Sequence, residues 1–280
     1  MSVPILIIGK SGTGKTTALR NLNPNEVLLI QCLKKPLPFK SKNWKPWDAN
    51  TKTGTVLVSD KSKVIIAGIQ KAKENGKKII IIDDFQYQMA NTFMRRSDEK
   101  GYNKFTEIAK SVWEIVQAAI DSDDELRVYI LSHSHEDEFG ENIKMKTIGK
   151  LLDDKITIEG MFTIVLRSII SDGEYSFITQ NTGKDTSKSP MGMFENKEIP
   201  NDLIEIDSII CDYYGIKNDH VIENDCTKTI ALIKKRLEEF KDDEAFTEKV
   251  IASIKIYKTN LKGLKAVLKK LENRIIDREN

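Results

Sequence analysis

Gly9-Lys10-Ser11-Gly12-Thr13-Gly14-Lys15-Thr16 is the stretch on which the reading of this chain turns. It fits the pattern G-x-x-x-x-G-K-[ST] in full. Its glycines let the backbone curl so that successive N–H groups point inward at phosphate oxygens. Residues 3–8, just before it, form a continuous apolar run of the kind that makes a strand buried on both faces. Residues 15–22, just after it, read as a helix whose positive N-terminal end adds to the site. The expected ligand is the phosphate tail of a nucleotide, held by Gly9, Lys10, Ser11, Gly12, Thr13, Gly14, Lys15, Thr16 and Thr17. Lys15 is expected to reach the β- and γ-phosphates, Thr16 to give its hydroxyl to Mg²⁺, and Thr17 to support the α-phosphate.

A second stretch supplies the other half of such a site. Lys77-Lys78-Ile79-Ile80-Ile81-Ile82-Asp83-Asp84 reads as a buried strand that delivers carboxylates at its C-terminal edge. Asp83 is the expected metal-side carboxylate, acting directly or through water. Asp84 is a candidate to orient or deprotonate an attacking water. A third stretch, Leu131-Ser132-His133-Ser134-His135-Glu136, follows a strand that should lie beside the Asp83 strand. Ser132 and His133 are candidates to sense the γ-phosphate. His133 and His135, two residues apart on an extended segment, lie on the same side, so metal binding is conceivable there, against which stand the three or four ligands that a zinc site normally needs.

Around these segments, strand-like and helix-like stretches alternate through the first 180 residues. Short apolar runs at residues 27–32, 56–58 and 126–132 alternate with helical patterns at 62–75, 85–96 and 104–120. That order predicts an α/β fold with a mostly parallel sheet covered on both faces. Residues 161–170 and 174–180 flank Asp172-Gly173, a strong hairpin signal, so an antiparallel hairpin is expected at the sheet edge. Residues 181–200 read as loop. From Thr227 onward the chain carries 14 basic and 9 acidic residues, and apolar side chains recur at helical spacing at Ile230, Ile233, Leu237 and Phe240 and again from Tyr257 to Ile275. One or two amphipathic helices are expected there, packed on the core or on each other. The organisation read from sequence is thus a core over residues 1–200 and a helical C-terminal region over 201–280.

Composition narrows the remaining possibilities. Of 280 residues, 40% are hydrophobic and 31% charged, and the net charge is +2. A mostly disordered or collagen-like chain is excluded, and any polyanion-binding surface has to be local. No apolar run is long enough to cross a bilayer, so no membrane partner is expected. The N-terminus does not read as a signal peptide. Cys32, Cys211 and Cys226 form no close pair, which fits a reducing cytoplasm.

At GKSGTGKT, IIIIDDFQYQMANTFMRR, LSHSHE, TIGKLLDDKITIEGMFTIVLR and TGKDTSKSPMGMF the chain resembles the phage-encoded nucleotide-binding ATPases of the AAA/RecA-like class. These include small RecA-core proteins tied to single-strand annealing and recombination. The resemblance covers about residues 1–195. It implies a RecA-like P-loop NTPase core with a C-terminal helical appendage, use of ATP and Mg²⁺, and homo-oligomers, as rings or filaments, on single-stranded DNA in the host cytoplasm. In such assemblies a basic residue from the neighbouring subunit reaches the γ-phosphate. The matching candidates on or after the edge hairpin are Arg167, Lys184 and Lys188. Recombination ATPases of this core often carry a glutamate at the end of the second strand. Here that strand ends Leu29-Ile30-Gln31-Cys32, so efficient hydrolysis is in question or the role passes to Asp84. A nucleotide-gated oligomeric adaptor with little or no hydrolysis is the alternative.

Candidate DNA-binding residues follow from charge and aromatics. Residues 34–52 hold six lysines and one aspartate together with Phe39, Trp44 and Trp47. Lysines follow a phosphate backbone and exposed aromatics stack on bases, whereas tryptophans folded onto the core would leave only the lysines wet. Both readings fit. Lys144, Lys146 and Lys150 lie where the resemblance places a DNA-contacting loop.

Overall fold

The structure is a computed structural model describing residues 2–149, 151–217, 219–240, 243–257 and 261–279. It divides into two compact units, residues 1–209 and 210–280. Lys150 lies outside the described residues.

The strand-forming runs of the first unit assemble into one sheet. The strands are β1 (Val3–Gly9), β2 (Val27–Gln31), β3 (Val56–Val58), β4 (Ile79–Asp83), β5 (Arg127–His135), β6 (Lys144–Met145), β7 (Ile164–Ser171), β8 (Glu174–Ile178) and β9 (Glu198–Pro200). Their order is β3-β2-β4-β5-β1-β7-β8-β9, with β6 pairing antiparallel to the end of β5. The strands from β3 to β7 run parallel and β8 and β9 run antiparallel. The edge hairpin expected at Asp172-Gly173 is present, and φ is +52° and +84° at the two turn residues, as a two-residue type I′ turn requires.

Helices α1 (Ser62–Gln70), α2 (Gln86–Arg95) and α3 (Asn103–Ile120) cover one face. Leu6, Ile8, Leu28, Ile30, Ile80, Ile82, Val128 and Ile130 alternate along their strands to meet Ile65, Ile69, Met89, Ile108, Val112 and Ile115. The residues between them, such as Ile5, Ile7, Leu29, Ile81 and Leu166, are buried as well. The four-isoleucine run is therefore enclosed on both sides. The other face also holds an ion pair. Arg127, 1% exposed, meets Asp207 of helix α4 (Leu203–Tyr214) with Nη2 2.8 Å and Nε 3.0 Å from the carboxylate, and the Tyr129 hydroxyl donates to the same carboxylate at 2.7 Å.

Two local expectations are corrected. The segment after the glycine-rich loop forms a short 3₁₀ helix, Thr16–Asn21, instead of an α-helix. Asn23-Pro24 follows at once, the Asn25 amide donates to the Asn23 side chain, and the chain turns into β2. Residues 198–200, read as loop, pair with β8 as the short outer strand β9.

In the second unit, α5 (Asp219–Leu237), α6 (Glu244–Ile256) and α7 (Leu261–Glu279) are the described helices beyond α4. The stripe residues Ile233, Leu237, Phe240, Leu264 and Leu271 are buried together with Val250 and Ile254. These helices thus pack their apolar faces on one another. Asp243 caps α6, accepting from the Phe246 amide, and its other oxygen takes Arg274 at 2.9 Å. No described helix is long and apolar enough to cross a membrane.

Candidate nucleotide site

Three neighbouring parallel strands, β4, β5 and β1, end at the same edge of the sheet. Register places Gly9 beside His133 and Ile8 beside Ser132, while Ile82 pairs with Ile130 one strand over. The glycine-rich loop, Asp84 and His133 are thereby brought to one cavity of about 310 Å³, with Asp83 and Ser132 buried next to them in the chain. Its lining includes Ser11, Gly12, Gly14, Lys15, Thr16, Thr17, Asp84 and His133.

The loop conformation depends on its glycines. Gly12 and Gly14 have φ of +84° and +86°, where a side chain is strained. A Cβ on Gly9 would lie 2.6 Å from the Ser168 carbonyl oxygen of β7, and one on Gly14 would lie 2.9 Å from the Tyr175 ring. The Ser168 hydroxyl donates to the Thr13 carbonyl, and the Thr13 hydroxyl donates to the Lys10 carbonyl at 2.9 Å. Lys10 reaches across to Glu136 at 2.6 Å.

Lys15 is 6% exposed and donates to the carbonyls of Gly9 at 2.8 Å and Lys10 at 2.7 Å. Burial lowers its ammonium to about 8, against the pull of Asp84 and Asp83. The Thr16 hydroxyl lies 3.0 Å from both oxygens of Asp83. Burial, and then the charge of Asp84, raise the Asp83 carboxyl to about 6. Mg²⁺ takes oxygen ligands and is held by one or two protein groups together with substrate phosphates and water. A hydroxyl and a carboxylate already turned to each other fit that demand. Among the described residues no three His, Cys, Asp or Glu side chains form a group that could hold a metal ion.

Asp84 is buried at φ +54°, a left-handed conformation that aspartate tolerates better than most residues. It forms an ion pair with Lys35, and His133 Nε2 stands 3.7 Å from its other oxygen. Burial, and then the nearby Lys15, lower the His133 imidazolium below its ordinary value, against the pull of Asp84. Ser132 is fully buried and its hydroxyl has no hydrogen-bond partner. Gln31 stands in register with Asp83, where the resemblance led one to look for a glutamate, and its amide donates to the Lys35 carbonyl at 3.1 Å.

The 3₁₀ helix is short and offers little dipole. Arg167 places Nε 3.0 Å from Asp185 of its own chain. Lys188 is pinned by backbone pairing with Val165, and Lys184 lies exposed, 3.9 Å from Glu141. Trp44 is 8% exposed and meets Phe39 edge-on at 5.5 Å, so it belongs to the core and is not a free stacking surface. Trp47 is half-buried against the core, with Lys77 5.8 Å above its ring. Lys144 is half-buried on β6, and Lys146 is exposed beside it, its amide donating to the His133 carbonyl. Lys35, Pro36, Pro38 and Tyr175 also line the cavity, and sequence reasoning did not assign them to it. The signal for Lys35 was its place four residues past the end of β2, at the phosphate edge; its lysine-rich surroundings hid it.

Residues 1–191 match the family model described as an AAA domain. The chain belongs to that family. Membership places it among P-loop ATPase domains, and the sheet order, glycine-rich loop and Asp83 strand are those of a P-loop NTPase core. No curated protein matches the chain. Among solved structures it is similar to a KaiC-like protein from the hyperthermophilic archaeon Pyrococcus horikoshii OT3, at 11% identity, over 71% of this chain and 84% of that one, with a TM-score of 0.45.

Proposed function

We propose that the protein is a Mg·ATP-dependent ATPase that assembles as a homo-oligomer on single-stranded DNA and serves strand annealing, recombination or replication of phage DNA. The observation that carries the nucleotide part is the convergence of Lys15, Thr16 and Asp83 at one sheet edge. Loop amides and the Lys15 ammonium meet phosphate oxygens, and Thr16 and Asp83 hold the metal. Mg²⁺ held there would supply positive charge to offset that of the phosphates. Asp84 and His133, 3.7 Å apart on the cavity lining, are the candidates to orient an attacking water. Support for the DNA part is the row of exposed lysines Lys34, Lys40, Lys42, Lys45 and Lys52 on one segment, with Lys146 on another.

A second reading, a nucleotide-gated adaptor with slow hydrolysis, is favoured by two features: Gln31 at the end of β2, and the pairing of Asp84 with Lys35. ATP binding and turnover, measured with and without an oligonucleotide at low salt, separate the two. DNA-stimulated turnover abolished by Asp84→Asn supports the ATPase. Tight binding without turnover supports the adaptor. Lys15→Ala is expected to lower nucleotide affinity at least tenfold, the scale of charge-assisted hydrogen bonds, with the fold retained. Unchanged affinity in that variant would remove the site assignment.

A further inference from the structure

We infer that Lys35 is a ligand for the terminal phosphate from within the same chain, and that it lets the site tell a nucleoside triphosphate from a diphosphate. The inference rests on the reading that the cavity holds a nucleotide.

Lys35 belongs to the segment leaving β2, which is strapped to the end of β4. The Cys32 amide donates to the Asp83 carbonyl at 3.1 Å, and Gln31 holds the carbonyl of Lys35 itself. Pro36 and Pro38 restrict the chain just beyond and line the cavity wall. The backbone of Lys35 is therefore fixed at the phosphate edge, while its side chain remains 40% exposed and free to change partner.

Among the cavity-lining residues the ammonium groups are those of Lys15 and Lys35. They approach from different sides, Lys15 out of the glycine-rich loop and Lys35 over Asp84. Thr16 and Asp83 are occupied with each other and suit the metal. The increment of negative charge that distinguishes a triphosphate from a diphosphate then has one mobile cation to draw on. Lys35 exchanges Asp84 for the terminal phosphate, and the exchange releases the Asp84 carboxylate beside His133. Asp84 is a competitor for Lys35, so weakening the ion pair should strengthen triphosphate binding.

The test is direct binding of a non-hydrolysable ATP analogue and of ADP, each with Mg²⁺, to the full chain and its variants. Lys35→Met should weaken the analogue roughly tenfold or more and ADP less than about twofold, the scale of a hydrogen bond between charged groups. Lys35→Arg should retain most of the discrimination. Asp84→Asn, which keeps the side-chain shape and suits the left-handed backbone, should tighten the analogue relative to ADP. Equal weakening of both ligands by Lys35→Met would make Lys35 a partner of Asp84 alone and overturn the inference. So would an unchanged ratio in Asp84→Asn, a readout that holds even if Lys35→Met folds poorly. Failure of the unaltered chain to bind either ligand would instead overturn the nucleotide reading beneath it.

Discussion

The hydroxyl of Thr16 donates to the carboxylate of Asp83 across 67 positions of sequence, 3.0 Å from either oxygen. The two groups that suit a divalent cation thus stand together before any cation arrives. Asp83 must be ionised to meet one, and burial with the charge of Asp84 has raised its carboxyl to about 6.

The Mg²⁺-dependent part of nucleotide affinity should therefore fall as pH drops through about 6, while the Mg²⁺-independent part changes less. In the ligand-free chain the sign is opposite. A carboxyl raised above its ordinary value of 3.8 contributes stability that is full below that value and lost as pH rises through about 6. Asp83→Asn should then gain stability relative to the parent between about pH 4 and pH 7. Titration calorimetry with and without EDTA checks the first statement and melting curves across that range check the second. A flat Mg²⁺ dependence would contradict the role given to Asp83.

Asp207 satisfies Arg127 and Tyr129 in the buried face of the sheet. Asp207→Ala removes a buried carboxylate while leaving the guanidinium in place, a change that costs about 3–5 kcal/mol. Urea unfolding should show a loss of that size, with nucleotide affinity unchanged in whatever fraction stays folded. A loss below about 1 kcal/mol would mean that the pair adds nothing beyond its own desolvation.

The lysine-rich segment and its tryptophans should respond differently to substitution. Trp44→Ala should destabilise the first unit by about 3 kcal/mol, as large core deletions do, without a selective effect on DNA. Lys40→Glu with Lys42→Glu should leave stability within about 0.5 kcal/mol and weaken oligonucleotide binding at low salt, with a shallower salt dependence. Unaltered DNA affinity in the double lysine variant would remove this segment from the proposed interface.

Much of the core was legible because its signals are local. A strand enclosed on both faces has to be continuously apolar, so Ile79–Asp83 declared itself. Asp172-Gly173 declared the hairpin because few residues accept two positive φ angles in succession. What escaped depends on distant partners. Whether Trp44 is exposed depends on Phe39 and the fold of a long segment. The partner that Arg167 finds within its own chain, Asp185, is 18 positions away. Lys35 acquires its place only because β2 lies next to β4, a neighbour relation that composition does not encode. The segment after the glycine-rich loop closed as a 3₁₀ helix, Thr16–Asn21, one residue inside the expected span at each end.

Strand β5 carries the Arg127 anchor at its first residue and Ser132 and His133 towards its far end. Lesions at the two ends should therefore produce different kinds of defect. Damage near the anchor would deplete the amount of folded protein while each surviving molecule worked normally. Damage at the opposite end would leave abundant protein that had lost its task. Dividing measured output by the quantity of folded material would sort any new variant of this strand into one group or the other.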